Sequence, residues 1–359
     1  MKHIIYLNHQ EKSITGGHKY NDAFEAFLKK ETRIETQYTP SCACKYRGWR
    51  KIFSPFVELK HSKRFVKDTL VFFSDTSYKH HFLLALLNKW IIKAKSTMII
   101  HHFTFLGQKG FVGSLNKWLM CKYTSLMDSI IVPSPFTLDV AKSLFPNKRI
   151  FYVPLPFERN FKKSSNYEIG NLLYVGTIEE RKGLTYLIDA ISMLENKTAV
   201  KLNIVGKVVD QVYYDNLKHQ ITTAGLTDNV NFLGRVSDET LAECYQKAEI
   251  FTFPSLLEGY GIVLIEAFNN GLPIICFDNT AMPYTVKDGV NGFVAKNKDA
   301  KDMAAKILHL MGNTSLRKKF QEGIEDTIMN LKTREDFEHS IESFAKEMKK
   351  NIINLNSTL

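Results

Sequence analysis

Residues 254–271, PSLLEGYGIVLIEAFNNG, constrain this chain more than any other stretch. The apolar run 250–253 stops at Pro254 and Ser255, and a glycine-bearing turn, Glu258-Gly259-Tyr260-Gly261, opens into residues 262–270. The spacing of Val263, Ile265, Ala267 and Phe268 predicts a helix packed on a sheet, ended by Gly271-Leu272-Pro273. A strand that leads through a glycine turn into a helix N-terminus presents backbone N–H groups and the positive pole of the helix dipole. Both favour an anion such as a phosphate. Glu258 in the turn and Glu266 eight positions later bracket that place. A carboxylate beside an anion site suits neutral hydroxyls, those of a sugar or a ribose, better than the anion itself. The pattern therefore suggests a nucleotide diphosphate carrying a sugar. Glu258 as a helix cap and Glu266 on a solvated face is the plainer alternative. It would explain two glutamates at that spacing, but not the strand, glycine turn and helix that come with them.

A length of 359 residues allows two domains with full cores, and 44% apolar with 24% charged residues is ordinary for a globular chain. The most apolar region, 82–100, is interrupted by Asn88, Lys89, Lys93 and Lys95, so it reads as a helix then a strand and not a membrane span. The opening MKHIIYLNHQ lacks the apolar core of a signal peptide and reads as a first strand. Five scattered cysteines argue against a disulfide scaffold and for a reducing, cytoplasmic setting. The net charge of +11 asks for acidic partners: a nucleotide substrate, nucleic acid or an anionic membrane surface.

Strand-like and helix-like runs alternate along both halves. The first half reads as a strand at 3–7, a glycine turn 13–17, a helix 18–30, then strands near 70–73, 97–100, 129–132 and 149–154 with helices between them. Residues 41–68 depart from this. Lys45, Arg47, Arg50, Lys51, Lys60, Lys63, Arg64 and Lys67 alternate with Tyr46, Trp49, Phe53 and Phe56. That mixture fits a membrane interface with anionic headgroups and equally a solvated helical hairpin; no nucleic-acid module surrounds it. The strand 97–100 delivers His101 and His102 to its C-terminal end, where an open parallel sheet faces its ligand. There a histidine can bond a sugar hydroxyl or move a proton, or simply be a satisfied structural residue. Residues 154–167 read as a linker. The alternation then restarts with strands at 172–175, 201–205, 230–233, 250–253, 274–277 and 293–294, and the chain is helical from 298 onward. The expected fold class is α/β, with two doubly wound, Rossmann-like domains over residues 1–157 and 158–333, and a last helix, 334–359, packing back towards the first. In the turn Gly176-Thr177-Ile178-Glu179-Glu180-Arg181-Lys182-Gly183, Arg181 and Lys182 sit beside a helix start, where cations are unfavourable unless a ligand uses them. Gly234-Arg235-Val236-Ser237 is a further strand-to-helix turn, placed where backbone groups could hold a base.

These segments resemble a family. EGYGIVLIEA resembles the E-x7-E signature of retaining glycosyltransferases of family 4, and VGTIEERKG (175–183) resembles their phosphate-binding turn. GRV (234–236) is similar to their base-binding loop, IIHHF (99–103) to their histidine motif, and IIVPSPFT (130–137) is also typical. The resemblance implies the GT-B architecture, two Rossmann-like domains facing each other across a cleft. It implies that Glu266 binds ribose hydroxyls and Glu258 a donor-sugar hydroxyl, with the amides of Gly259, Tyr260 and Gly261 on the sugar and distal phosphate. Ile262, Val263, Gly176 and Thr177 complete the implied donor site, and Arg235-Val236 contact the base. Arg181 and Lys182 would neutralise the departing diphosphate. His101 would meet the donor sugar, with His102 as the weaker candidate, and Gly16 and Gly17 would line the acceptor side near the phosphates. Thr177 stands where many members carry an arginine, so the assignment of Arg181 rests on less than that of Lys182.

The activity implied is hexosyl transfer with retention, from a UDP-linked neutral hexose by default, because Glu258 would repel a uronic acid; GDP donors stay open. The acceptor implied is a saccharide or lipid-linked molecule of polysaccharide or glycoconjugate synthesis. No resident cofactor and no metal are expected: the sequence has no D-x-D, and the cations could take a metal's place. The expected location is cytoplasmic, peripheral at the inner face of the membrane through residues 41–68, with no nucleic acid as partner. A nucleotide-sugar epimerase or hydrolase is the alternative enzyme, with the two histidines as its only proton-transferring candidates. The other class is a non-catalytic binder of anionic lipid that keeps a vestigial sugar site.

Overall fold

Short, fully apolar runs such as Leu70-Val71-Phe72-Phe73, Leu172-Leu173-Tyr174-Val175 and Ile274-Ile275-Cys276-Phe277 become the inner strands of two parallel sheets. Strands covered on both faces by helices lose the in–out alternation of an exposed sheet, so continuous apolar runs are what this architecture requires. The computed structural model describes residues 3–6, 16–34, 36–38, 69–75, 78–162 and 166–356. The basic-aromatic segment 41–68, Ser13 to Thr15 of the expected glycine turn, and Leu7 lie outside these described residues, save that segment's neighbours from Thr69 on.

The chain divides into two units, Met1–Glu158 with Lys332–Leu359, and Arg159–Leu331. In the first, β1 (His3–Tyr6), β2 (Thr36–Tyr38), β3 (Thr69–Ser74), β4 (Lys95–Ile99), β5 (Ser129–Val132) and β6 (Arg149–Tyr152) form one sheet in the order β2-β1-β3-β4-β5-β6. Every pairing is parallel. In the second, β7 (Asn171–Val175), β8 (Lys201–Val205), β9 (Val230–Gly234), β10 (Ile250–Phe253), β11 (Ile274–Phe277) and β12 (Gly292–Ala295) follow the order β12-β11-β10-β7-β8-β9, again all parallel. Each order reverses direction once, between β1 and β3 and between β7 and β10. In open α/β sheets the crevice outside the strand C-termini at such a reversal is where ligands bind.

The last helix, Arg334–Asn356, belongs to the first unit. Phe337, Ile341, Phe344, Ala345 and Met348 recur at helical spacing and are buried. Phe337 meets Tyr20, and Phe344 meets Phe24, Phe72 and Phe151. Arg149 pairs with Glu347 beside them.

Two expectations are corrected, and one strand is added. Gly16 and Gly17 are not in a turn before the helix; they open the helix Gly16–Thr32 itself. A Cβ on Gly17 would stand 3.6 Å from the His101 ring, so a small residue lets that first turn approach the histidine. The helix expected at the start of the apolar region 82–100 is α-helical only over Tyr78–Leu87 and closes as a π-helical turn, Asn88–Ile92. Asn88 turns inward to donate to the Ala94 carbonyl, and Lys93, at φ +58°, ends it. The short strand β2 carries no apolar signature and was not expected.

Candidate functional site

At the β7/β10 reversal two turns lock together. After β7, Gly176 and Thr177 lead to a 3-10 turn, Glu180–Lys182, and Gly183 starts the helix Leu184–Ser192. After β10, residues 254–261 lead into the helix Ile262–Asn269. The Leu256 amide donates to the Arg181 carbonyl at 2.9 Å, tying one turn to the other. Gly183 is at φ +68°, and a Cβ placed on it would overlap the Pro254 carbonyl oxygen. Only glycine meets both demands. Gly183→Ala is therefore expected to cost more than about 1 kcal/mol of stability, because the two turns must separate. Thermal unfolding of the purified variant measures this, and an unchanged melting temperature would show that the junction is not tight.

Side chains then converge on one carboxylate oxygen. Lys182 Nζ bonds Glu258 Oε1, the Ser255 hydroxyl donates to it at 2.9 Å, and Arg181 Nη1 lies 3.5 Å away. None of these contacts uses Oε2. The Glu258 amide donates to the Thr280 hydroxyl at 3.0 Å, and Asn279 Nδ2 holds the Ser255 carbonyl at 2.9 Å. Arg181 also donates to the Leu257 carbonyl and, through Nη2, to Glu179 at 2.8 Å. Glu179 accepts the Thr177 hydroxyl as well, at 2.6 Å. Thr177 thus acts on Arg181 through Glu179, which fixes the guanidinium from the side away from Glu258. Lys182 is nearly buried, with its ammonium 5.2 Å over the Phe253 ring.

Burial by itself would push the Glu258 carboxyl up. The Lys182 ammonium and Arg181 guanidinium, helped by the hydrogen bonds from Lys182 and Ser255, outweigh it and hold the group below its ordinary range. A depressed folded-state pKa contributes stability that is full above the unfolded value, about 4.3, and is lost as pH falls through the folded value. Chemical denaturation midpoints should therefore fall more steeply between about pH 5 and about pH 3 in the wild type than in Glu258→Gln. Parallel profiles would contradict the assignment. Burial first, then the Glu258 charge, raises the Tyr174 phenol, so Tyr174 stays protonated and donates to the Thr177 carbonyl.

Gly261, at φ +82°, is the N-cap of the helix Ile262–Asn269, so Ile262 and Val263 supply its first backbone amides. Glu266 faces a different partner from Glu258. It accepts the Tyr245 hydroxyl at 3.2 Å, and the Tyr245 phenol is raised by burial and then by the Glu266 charge. Arg235 is exposed and Val236 half-buried in the turn that follows β9, after Gly234 at φ +66°. β9, β8, β7 and β10 are successive neighbours, so this turn lies on the same sheet edge, two strand spacings of about 4.8 Å from β7.

In the first unit, His101 and His102 follow β4, beside the β1/β3 reversal. Both their amides donate to one oxygen of the buried Asp75, at 2.9 and 3.2 Å, and His102 Nδ1 is 3.9 Å from it. His101 Nε2 bonds Asn21 Oδ1 at 2.9 Å, and its ring meets the Tyr20 edge at 5.3 Å, with Gly17 alongside. The structure thus gathers Gly17, Tyr20, Asn21, Asp75 and His101 at one place, and Arg181, Lys182, Ser255 and Glu258 at another. Asp75, Asn21, Glu179, Ser255, Tyr245 and Thr280 were not singled out from the sequence. Asp75 alone of these left a signal there, as a carboxylate at the end of an apolar strand.

Residues 157–327 match the family "Glycosyl transferases group 1". An O-antigen chain mannosyltransferase B from Escherichia coli is 32% identical over 149 residues, covering 41% of this chain and 38% of that protein. For it and two further curated relatives the match spans 38%, 46% and 39% of the relative's length. Among solved structures, the sucrose-phosphate synthase of Thermosynechococcus elongatus superposes with TM-score 0.75 at 17% identity, and Anabaena HepE, solved with UDP and glucose, with TM-score 0.70 at 16% identity. Each of these two covers the whole of both chains. Both neighbours have the GT-B fold, and the two parallel sheets of this chain share it.

Proposed function

From a chain whose residues 157–327 belong to the group 1 glycosyl transferases, we propose an enzyme that moves a hexose, with retention, from a UDP-linked donor to a saccharide or lipid-linked acceptor of polysaccharide or glycoconjugate synthesis. The observation that carries this reading is the convergence of Lys182, Arg181 and Ser255 on Glu258 at the β7/β10 reversal. Two cations held at a strand C-terminal edge, beside the N-terminus of the helix Ile262–Asn269, suit a diphosphate. Glu258, kept ionised and with Oε2 clear of those contacts, suits a sugar hydroxyl. Glu266 is assigned to the ribose hydroxyls and Arg235-Val236 to the base. His101 is read as a sugar-contacting group, and Gly16, Gly17 and His102 as its surroundings.

In the proposed reaction the bond from the anomeric carbon to the diphosphate oxygen breaks as the acceptor oxygen bonds that carbon from the same face. The acceptor proton passes to the departing phosphate. Lys182 and Arg181 stabilise the charge that develops on the leaving group, so no metal is required. The relatives support the class by their names, a mannosyltransferase and a structure solved with UDP and glucose. Among the described residues no helix is long and apolar enough to cross a membrane. A cytoplasmic enzyme that is peripheral at the inner face of the membrane is the location proposed.

The test is acceptor-free turnover of UDP-glucose, UDP-galactose, UDP-N-acetylglucosamine and GDP-mannose, with EDTA present, and with the first-released anomer read by proton NMR. The proposal expects one UDP sugar to be cleaved with EDTA present and its α-linked sugar to appear first as the α-anomer. Release of the β-anomer first would overturn retention. Cleavage of GDP-mannose alone would replace the donor while leaving the transferase class standing.

A further inference from the structure

The helix Gly110–Ser125 is apolar on two sides. Its inner side, Gly113, Asn116, Met120, Tyr123 and Thr124, is buried in the first unit. Its outer side repeats Phe111, Leu115 and Trp118 at positions i, i+4 and i+7, which share one stripe of a helix. Yet Phe111 is 82% exposed and Trp118 55%, with Val112 and Leu115 exposed beside them. An exposed apolar stripe of this kind is ordinarily covered, by protein or by lipid. Trp90, 72% exposed, and Ile91 add apolar surface in the π-helical turn that closes the preceding helix.

Charge says what the cover is. Between Asp75 and Asp128 the sequence holds no Asp or Glu, while Lys79, Lys89, Lys93, Lys95, Lys109, Lys117 and Lys122 all fall there. Lys109, Lys117 and Lys122 are exposed on or beside the helix itself, and Lys122, at i+11 from Phe111, continues the aromatic stripe. Lys117 leans over the Phe105 ring at 5.9 Å and keeps its charge there, whereas Lys89 pairs with Asp128 at 3.6 Å. Exposed aromatics set among lysines, with no carboxylate between them, match the boundary of a bilayer whose headgroups are anionic. A second copy of the same surface would bring lysine against lysine.

We infer that the outer face of the helix Gly110–Ser125, through Phe111, Leu115 and Trp118 with Lys109 and Lys122, docks the chain on an anionic lipid surface. The inference rests on the proposed peripheral location and names a surface for it; its failure leaves the transfer reaction standing, because attachment is read without donor or acceptor. It is also distinct from any contact by residues 41–68.

The experiment floats the full chain with vesicles of phosphatidylcholine alone or with about 30% phosphatidylglycerol, following bound fraction and tryptophan emission. Phe111→Ser with Trp118→Ser removes the apolar anchor at exposed positions, and Lys109→Glu with Lys122→Glu reverses the charge; circular dichroism confirms that both variants are folded. Wild type is expected to bind the anionic vesicles with blue-shifted emission, and less at high salt. The apolar variant should lose about tenfold or more in partitioning, and the charge variant should lose the preference for phosphatidylglycerol. Failure of the wild type to bind, or binding unchanged in both variants, overturns the inference; the second outcome points to another segment. A concentration-dependent dimer abolished by the apolar variant would make a second copy the occupant, and would equally overturn it.

Discussion

Lys182→Ala is expected to lower turnover of the preferred nucleotide sugar by about 10²–10³-fold, the usual consequence of removing one charge-stabilising donor from a preorganised site. The ammonium is nearly buried, over Phe253 and against Glu258, so in the proposed reaction it would need no reorganisation as charge develops. Its loss also leaves Glu258 in a nearly buried place with only Ser255 at 2.9 Å and Arg181 at 3.5 Å. Breaking one partner of a buried pair costs about 3–5 kcal/mol. The catalytic and structural effects therefore have to be separated. Lys182→Ala combined with Glu258→Gln removes the unpaired charge and should recover most of the melting temperature without recovering kcat. Because Glu258 is itself placed on the donor sugar, the double variant is compared with Glu258→Gln alone: an equal kcat in the two would make Lys182 a structural partner of Glu258, and the leaving-group role falls.

Glu266→Ala is expected to weaken nucleotide binding by about 10²-fold or more, since each hydrogen bond to a charged carboxylate contributes about 1.5–3 kcal/mol and the proposed reading gives this one two ribose hydroxyls. Tyr245 donates to Oε2 at 3.2 Å and fixes the rotamer from the buried side. Tyr245→Phe should accordingly cost less than Glu266→Ala, because orientation is loosened while the acceptor remains. Calorimetric titration with UDP measures both. Equal dissociation constants for wild type and Glu266→Ala would make Glu266 a helix residue braced by Tyr245 and nothing more.

Much of this was legible along the chain because both sheets are built from short apolar runs, and in the second sheet Gly176, Gly206 and Gly234 mark where strands end. The strands at 172–175, 201–205, 250–253 and 274–277 stand where their apolar runs place them. What stayed illegible depends on partners distant in sequence. Asp75 is an ordinary strand-end carboxylate until the fold brings the amides of His101 and His102 to it. Ser255 and Thr280 look like loop polarity until they bond the side chain and the amide of Glu258. The π-helical turn Asn88–Ile92 reads as ordinary helix because its apolar spacing continues, and the inward turn of Asn88 has no local signature. Thr177 departs from the resembled pattern in sequence alone; in three dimensions its hydroxyl steadies Glu179, and Glu179 steadies Arg181.

On the proposed function, the turns after β7 and β10 together hold a nucleotide diphosphate. Hydrogen exchange followed by mass spectrometry, with and without saturating UDP, tests it segment by segment and needs no acceptor. Slower amide exchange is expected across residues 176–183 and 254–266, with a smaller effect at 234–236, all of it reduced in Glu266→Ala at the same UDP concentration. Exchange unchanged in those segments with either UDP or GDP, or slowed only elsewhere, would contradict it.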